Sequence, residues 1–263
     1  MRLFILFVIL LAGNVLSGQN ISNIPVGTWR THLPTTNMTT LALNKNKVYC
    51  ASSISSFTLD QEDNHMSSFS KIDGLSESQI AVMRFNENKN TGIIGYLNGN
   101  IDFIINGKLV NFDVILRSNV AGSKKINNII LYDNLAFVSC DFGVSVIDIK
   151  KFEVKESWLN LQTNGLPNQV YACTLNDTQD SVFLATEYGA MSARYNKPGI
   201  NLMDFNNWHV YTDISLTNVK SIASFNGSVY CGVSGIGVYI LKGFTWNNIG
   251  LTIDMNDVCY NLI

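Results

Sequence analysis

Apolar and polar positions along this chain form a block that recurs five times. One copy, "LAFVSCDFGVSVIDI" from Leu135, has an apolar run, a small polar break with a glycine, and a second apolar run. This order predicts a tight β-hairpin, because glycine permits the backbone angles of a short turn between two strands. The small residues at the five predicted turns follow one another at steps of 44, 44, 46 and 48 residues; they are Ser55, Gly99, Gly143, Gly189 and Gly237.

Two further strands complete each repeat. An apolar segment such as "INNIILY" precedes the hairpin, and Asn, Asp or Gly separates the two. A fourth strand centred on an aromatic residue follows, at Phe69, Phe112, Trp158, Trp208 and Trp246. Four strands at this period predict an all-β fold, a β-propeller of four-stranded blades, because solenoid repeats are shorter or helical. We expect the inner strands "NNIILY" and "LAFVSC" to be buried on both faces.

The two ends of the chain predict an exported protein and an incomplete ring. Residues 1–18 read as a secretory signal peptide, with one arginine, an apolar core and a small polar end; the alternative is an uncleaved anchor helix. Residues 19–263 form the propeller. Trp29 resembles a fourth-strand aromatic, and "GLTIDMNDVCYNLI" resembles the start of a sixth blade. We therefore expect the N-terminal part of a longer protein, with five complete blades of about seven and one apolar blade face left open.

The composition narrows the function classes. Charged residues are 14% and the net charge is −2, with no basic block to neutralise nucleic-acid phosphates. The cysteines are odd in number and widely spaced, which favours small buried apolar residues over a disulfide framework. They are Cys50, Cys140, Cys173, Cys231 and Cys259. No CxxC or paired His/Cys pattern occurs, so we predict neither a metal site nor a cofactor.

The residues that could support catalysis do not form a recognisable constellation. His32 and His209 fall in equivalent outer strands, and His65 lies in a polar loop. The acidic clusters Asp60–Asp63 and Asp254–Asp257 read as solvated turns or chain-end residues, not as carboxylates facing one substrate. The sequence has no G-x-S-x-G elbow and no phosphate-binding glycine loop. We therefore predict a non-enzymatic protein.

The hairpin tips are the predicted binding residues. In a propeller, the tips between second and third strands gather on one face around the axis. Here they carry mixed polar and aromatic side chains, which suit contacts with a glycan or a protein. The candidates are Asn98, Asp141, Phe142, Glu187, Tyr188 and Ser234. The alternative role for each is ordinary turn chemistry.

Two links between blades carry a family resemblance. "SKIDGLSESQIAV" from Ser70 and "LNLQTNGLPNQVYAC" from Leu159 resemble the Asp/Asn-Gly-Leu-Pro boundary of two-component-regulator propellers. The other blade boundaries depart from that pattern. Within this group, the segments "VGTWRTHLPTTNMTTLAL" and "KVYCASSISSFTLD" resemble the opening of the PorZ family of the type IX secretion system of Bacteroidetes.

The resemblance to the PorZ family implies a scaffold and binding role in the periplasm or at the cell surface. The implied partners are the sortase PorU and the outer-membrane proteins PorV and PorQ, and the implied ligand is anionic lipopolysaccharide. It also implies a second propeller and a C-terminal sorting domain downstream.

Two other function classes stay open at this point. One is the periplasmic sensor of a hybrid histidine kinase that binds oligosaccharides, which would require a transmembrane helix and kinase domains. The other is a propeller enzyme, whose turnover would require tip carboxylates such as Asp141 or Glu187.

Overall fold

A computed structural model describes residues 37–52, 54–86, 90–214 and 218–250. These residues form five antiparallel sheets of four strands, and sequential strands are neighbours in every sheet. The sheets are the five predicted blades, which confirms the β-propeller. Blade 1 has β1 (Thr40–Asn44), β2 (Lys47–Ala51), β3 (Ser56–Asp60) and β4 (Met66–Ser68); blade 2 has β5 (Ile80–Asn86), β6 (Thr91–Tyr96), β7 (Ile101–Ile105) and β8 (Lys108–Phe112); blade 3 has β9 (Ile126–Tyr132), β10 (Leu135–Cys140), β11 (Gly143–Asp148) and β12 (Glu153–Trp158); blade 4 has β13 (Val170–Leu175), β14 (Ser181–Thr186), β15 (Gly189–Arg194) and β16 (Trp208–Val210); blade 5 has β17 (Val219–Phe225), β18 (Ser228–Val233), β19 (Gly237–Lys242) and β20 (Thr245–Asn248).

Helical structure in the described part of the chain is confined to single turns. The α-helix α1 (Val114–Arg117) lies between blades 2 and 3, and 3-10 turns span Lys71–Asp73 and Phe205–Asn207. None of the described helices is long and apolar enough to cross a membrane.

The hairpin glycines do more than permit a turn. In blade 3 Cys140 pairs with Gly143 across a two-residue tip, and Gly143 has a φ of +136°. A Cβ atom added to Gly143 would lie 2.0 Å from the carbonyl oxygen of Trp158 on the neighbouring strand. Glycine is therefore required here because β12 passes too close for any side chain.

The apolar core lies between successive blades. Between blades 3 and 4, Phe137 of β10 and Trp158 of β12 pack with Tyr195 and Trp208 of blade 4, and the two indole centroids are 5.4 Å apart. The predicted burial is right for β10, where five of six residues are buried, but partly wrong for β9, where only Ile126 and Ile129 are. The reason is that β9 is the edge strand of its sheet, whereas β10 has a strand on each side.

The fourth-strand aromatics confirm the repeat but not their predicted central position. Phe112 and Trp158 end β8 and β12, Trp208 begins β16, and Phe69 follows β4. The aromatic residue therefore meets different ends of the third strand: Trp158 pairs with Val144 near the tip, whereas Trp208 pairs with Ala193 near the far end. What these residues share is packing in the core rather than register, and Phe69 is the one that is only partly buried there.

The described blades form an unclosed ring, in which the innermost strand of each blade packs on the innermost strand of the next blade. Leu41 of β1 is 60% exposed, whereas the residues at its position in blades 2, 3 and 5 are almost fully buried against the preceding blade. These residues are Met83, Ile129 and Ile222. Among the described residues, blade 1 thus presents an open apolar face, as predicted.

Several other predictions concern single residues. Cys50, Cys140, Cys173 and Cys231 are buried free thiols, which confirms their role as small apolar residues. The side-chain oxygens of Asp60 and Asp63 accept backbone hydrogen bonds from Glu62 and His65, as in ordinary turns. The ring of His209 meets that of Tyr211 edge-on at 4.7 Å. The signal peptide, Trp29, His32, Asp254–Asp257 and Cys259 lie outside the described residues.

Candidate functional site

The hairpin tips of blades 2 to 5 are joined to the start of their own blade by one repeated hydrogen bond. The first tip residue donates its backbone N–H to the carbonyl of the residue that precedes the innermost strand, at 3.1 Å each time. The pairs are Leu97–Gln79, Asp141–Lys125, Glu187–Gln169 and Ser234–Asn218. We call the tip face the surface formed by these eight residues, the rest of the hairpin tips and the first two residues of the innermost strands.

A β-bulge occurs beside this hydrogen bond in each of the same four blades. One extra residue of the innermost strand lies opposite the second strand, and it is half-buried in every case. The extra residues are Ala81, Asn127, Tyr171 and Lys220. Bulges re-aim side chains and are common beside functional sites. Sequence reasoning missed these residues, although their recurrence one position into each innermost strand is a signal that could have found them.

Asp141 is the centre of a hydrogen-bond network between blades 3 and 4. Its carboxylate accepts hydrogen bonds from the Ser123 hydroxyl (2.6 Å), the Asn127 amide (2.9 Å) and the Gln169 amide (2.6 Å). The Asn127 amide also donates to the carbonyl oxygen of Val170 in blade 4 (2.9 Å). Asp141 therefore holds two blades in register, and part of its acceptor capacity is already used.

Tyr171 connects blade 4 with blade 5 on the same face. The Lys220 amine lies 3.5 Å from the centroid of the Tyr171 ring, a cation–π arrangement. Burial raises the pKa of Tyr171, and the negative charges of Glu187 and Asp141 raise it further. The phenol is therefore neutral near pH 7, so that it can donate a hydrogen bond close to two carboxylates.

The predicted site residues differ in what they offer a ligand. Glu187 and Tyr188 are exposed at the tip of blade 4, and 43% of Tyr188 is accessible. Phe142 is only 2% exposed and packs in the core between blades 2 and 3, so the expectation that its ring could stack on a ligand is wrong. The short tip turns Phe142 inward because Gly143 must immediately meet β12.

The remaining predicted residues belong to separate blades. Asn98 is exposed, and its side-chain oxygen accepts a hydrogen bond from the Asn100 N–H (3.0 Å), which is turn chemistry. Ser234 is half-buried in blade 5 and contributes its backbone to the repeated hydrogen bond. The structure thus brings Asp141 and Glu187 close to Tyr171, with Tyr188 next to Glu187 in the chain. The binding role of the tip residues other than Phe142 stays a prediction.

A buried carboxylate in blade 2 was also missed by sequence reasoning. Asp102 is 1% exposed and accepts hydrogen bonds from the Ser76 N–H (2.8 Å), the Ser76 hydroxyl (2.6 Å), the Tyr96 hydroxyl (2.6 Å) and the Asn111 amide (2.9 Å). Ser76 directly follows the Asp-Gly-Leu link, so this network attaches the link to blade 2. Burial and the bond to Asp102 raise the pKa of Tyr96 far above its ordinary value.

The chemistry available on the tip face is hydrogen bonding and ring contact. The exposed Glu187 carboxylate can accept hydrogen bonds, and Tyr171, Tyr188 and Lys220 supply a phenol, a ring and a cation. The described residues contain no group of three or more His, Cys, Asp or Glu side chains that could hold a metal ion.

Comparison with known proteins identifies the family. The family model described as the type IX secretion system PorZ N-terminal β-propeller domain matches residues 48–209. No curated protein matches the chain.

Three solved structures share the fold. PorZ from Porphyromonas gingivalis, described as an essential bacterial surface component of the type IX secretion system, is 19% identical with a TM-score of 0.72; the match covers 87% of this chain and 30% of that one. The extracellular domain of a hybrid two-component system from B. thetaiotaomicron is 16% identical with a TM-score of 0.65, over 89% of this chain and 32% of that one. The Cps50 (Swd1) propeller of Myceliophteria thermophila is 10% identical with a TM-score of 0.54, over 83% and 75%. The chain therefore spans about a third or less of the two bacterial structures.

Proposed function

Because the chain belongs to the family of PorZ N-terminal β-propellers, we propose that it is a non-enzymatic scaffold and binding component of a type IX secretion machinery. The observation that carries the proposal is the PorZ family match over residues 48–209, which runs from β2 of blade 1 to β16 of blade 4. In this proposal the protein is exported, with residues 1–18 as its signal peptide, and acts in the periplasm or on the cell surface.

The tip face is the proposed contact surface. It combines the exposed tip of blade 4 with bulge side chains from three successive blades. The proposed protein partners are the sortase PorU and the outer-membrane proteins PorV and PorQ. Rigid hairpin tips suit such contacts because little conformational entropy is lost when they bind.

Lipopolysaccharide presentation to the sortase is the finer part of the proposal. The two carboxylates near Tyr171, Asp141 and Glu187, outnumber the Lys220 amine on its ring and so disfavour anionic groups at that point. Hydroxyl groups of a glycan would meet Glu187, since a carboxylate accepts their hydrogen bonds. The Tyr188 ring would supply apolar stacking area, and the anionic groups would bind elsewhere on the protein.

Co-purification of the full-length protein with PorU, PorV and PorQ from detergent-solubilised membranes tests the proposal. We expect the wild type to retain these proteins, and the double substitution Glu187→Ala, Tyr188→Ala to reduce their recovery. The matched control is Lys151→Ala with Glu153→Ala, which removes an exposed ion pair on the opposite end of blade 3. Equal recovery with the tip variant and the control would reject the tip face as the contact surface, and no recovery with wild type would reject the secretion-machinery role.

A ligand-sensing role is the second candidate. It is favoured by the fold shared with the extracellular domain of the hybrid two-component system. Peptide sequencing of the native full-length protein separates the two: kinase peptides and a transmembrane segment would support the sensor, whereas a second propeller would support the secretion component.

A further inference from the structure

A groove opens between blades 2 and 3 at the end of the strands opposite the tip face. Its volume is about 540 Å³, within the range of small-molecule sites. Among the described residues, the apolar part of its wall consists of Ile105 of blade 2 with Leu131, Ile149 and Phe152 of blade 3. This groove is separate from the surface proposed above.

Comparison of two blades explains why the groove exists. Ile149 donates its N–H to the carbonyl of Asn134 (2.8 Å), and Tyr195 donates to that of Asp180 (2.7 Å), so the two residues occupy the same place in blades 3 and 4. The Tyr195 ring packs on Phe137 of blade 3, with centroids 5.3 Å apart, and fills the space between its two blades. Isoleucine is smaller than tyrosine, which leaves the corresponding space between blades 2 and 3 open.

Phe152 forms one wall in an unusual backbone conformation. Its φ is +54°, which is uncommon for a bulky residue. Its ring meets that of Phe103 in blade 2 edge-on at 5.5 Å, yet 38% of the residue stays exposed. The ring is therefore anchored to blade 2 and still offers apolar surface to the groove.

The two charged groups at the rim of the groove, an amine and a carboxylate, differ in their partners. Among the described residues, the Lys150 amine has no hydrogen-bond or ion-pair partner, whereas its neighbour Lys151 is paired with Glu153 at 3.5 Å. Asp133, the carboxylate on the same rim, keeps its negative charge but accepts a hydrogen bond from the neutral amide of Asn134 (3.4 Å), so the amine is the rim group that is left to bind a ligand. An apolar wall beside an unpaired cation fits a ligand with an apolar body and an anionic head.

We propose that this groove binds a small amphiphilic anion, with its apolar body against Ile105, Leu131, Ile149 and Phe152 and its anionic group at the Lys150 amine. Decanoate is a suitable probe, because decanol has the same apolar chain without the charge and decyltrimethylammonium reverses the charge. Isothermal titration calorimetry of the full-length protein, below the micellar concentration of each probe, measures the three affinities. We expect decanoate to bind about tenfold more tightly than decanol, and the cation to bind least.

Three variants locate the binding. Lys150→Gln should reduce the decanoate affinity to that of decanol, because only the charge is lost. Ile149→Tyr should abolish binding of both, since it fills the groove with the residue that blade 4 already uses. Phe152→Ala, which removes one wall, should weaken both probes equally and provides a second test if Ile149→Tyr does not fold.

Leu41→Ser is the matched control, because it removes apolar surface from the open face of blade 1 and leaves the groove intact. Unchanged decanoate binding in this variant supports the groove. Loss of binding in Leu41→Ser, equal affinity of decanoate and decanol in the wild type, or no detectable binding of decanoate would each overturn the proposal.

Discussion

The buried carboxylate of Asp102 makes a sharp prediction about stability. Asp102→Asn preserves the shape of the side chain but turns one of two acceptor oxygens into a donor. About two of the four hydrogen bonds should then be lost, because one Ser76 donor, together with the Tyr96 hydroxyl or the Asn111 amide, is left facing an N–H group. Each unsatisfied buried group costs about 1–3 kcal/mol. We therefore expect the substitution to lower the free energy of unfolding by about 2–6 kcal/mol, a large share of the stability of a typical domain.

Urea unfolding followed by tryptophan fluorescence measures this loss. Tyr96→Phe removes one of the four donors and leaves the carboxylate with three, so a smaller loss of about 1.5–3 kcal/mol is expected. Glu153→Gln is the surface control: its ion pair with Lys151 is exposed, and its removal should cost less than about 1 kcal/mol. If Asp102→Asn costs no more than Glu153→Gln, the reasoning about the buried network is refuted.

Three further predictions concern glycine, cysteine and tyrosine. Gly143→Ala should lower the free energy of unfolding by more than about 4 kcal/mol, because the new Cβ meets the Trp158 carbonyl. Gly165→Ala should lower it by about 1–2 kcal/mol, because Gly165 has a φ of +75° but open space around it. Urea unfolding of both variants measures the difference. All four described thiols are buried, and burial raises the pKa of Cys173 to about 12, so none of the four should react with a thiol reagent at pH 8 until the protein unfolds. Burial, then the charges of Glu156 and Tyr132, raises the pKa of Tyr195 to about 12. The contribution of the neutral Tyr195 side chain to the free energy of unfolding is complete below about pH 10, the pKa of tyrosine in the unfolded chain, and should fall as the pH rises towards 12. Tyrosinate absorbance and the midpoints of urea unfolding at each pH measure this change.

Each of these has a result that would contradict it. Similar losses for the two glycine variants would mean that β12 moves away from Gly143 without cost. Labelling of more than one thiol per folded molecule would contradict the burial of the four described cysteines, since only Cys259 lies outside the described residues. A complete tyrosinate titration near pH 10 in the folded protein would contradict the burial of Tyr195.

The repeat could be predicted from sequence because its determinants are local. A hairpin such as Leu135–Asp148 depends on two short apolar runs and on the small residue between them. The turn between the first two strands of blade 3 requires a positive φ at Asp133, and aspartate tolerates it. Because one local pattern occurs five times, the blades, their order and their boundaries could be predicted without knowledge of the contacts between blades.

The candidate site was only partly predictable. Asp141, Glu187 and Tyr188 could be predicted as candidates because they stand at hairpin tips, and their binding role stays a prediction. Tyr171 and Lys220 were missed because their orientation depends on a bulge, which a strand pattern does not reveal. Phe142 was misjudged because the direction of a side chain in a two-residue tip is decided by the strand that Gly143 must meet.

The sequence by itself therefore determined the four-stranded unit, its repetition and the residues of each turn. Only the tertiary structure decided which side chains of different blades meet, such as Lys220 with Tyr171 and Asp141 with Gln169. It also decided that the space beside Ile149 stays open, whereas Tyr195 fills the corresponding space in blade 4. The physical reason is how far apart along the chain the interacting residues lie. Turn conformation and strand alternation are set by neighbours along the chain, whereas contacts between blades depend on the packing and register of residues far apart in sequence, 28 positions for Asp141 and Gln169.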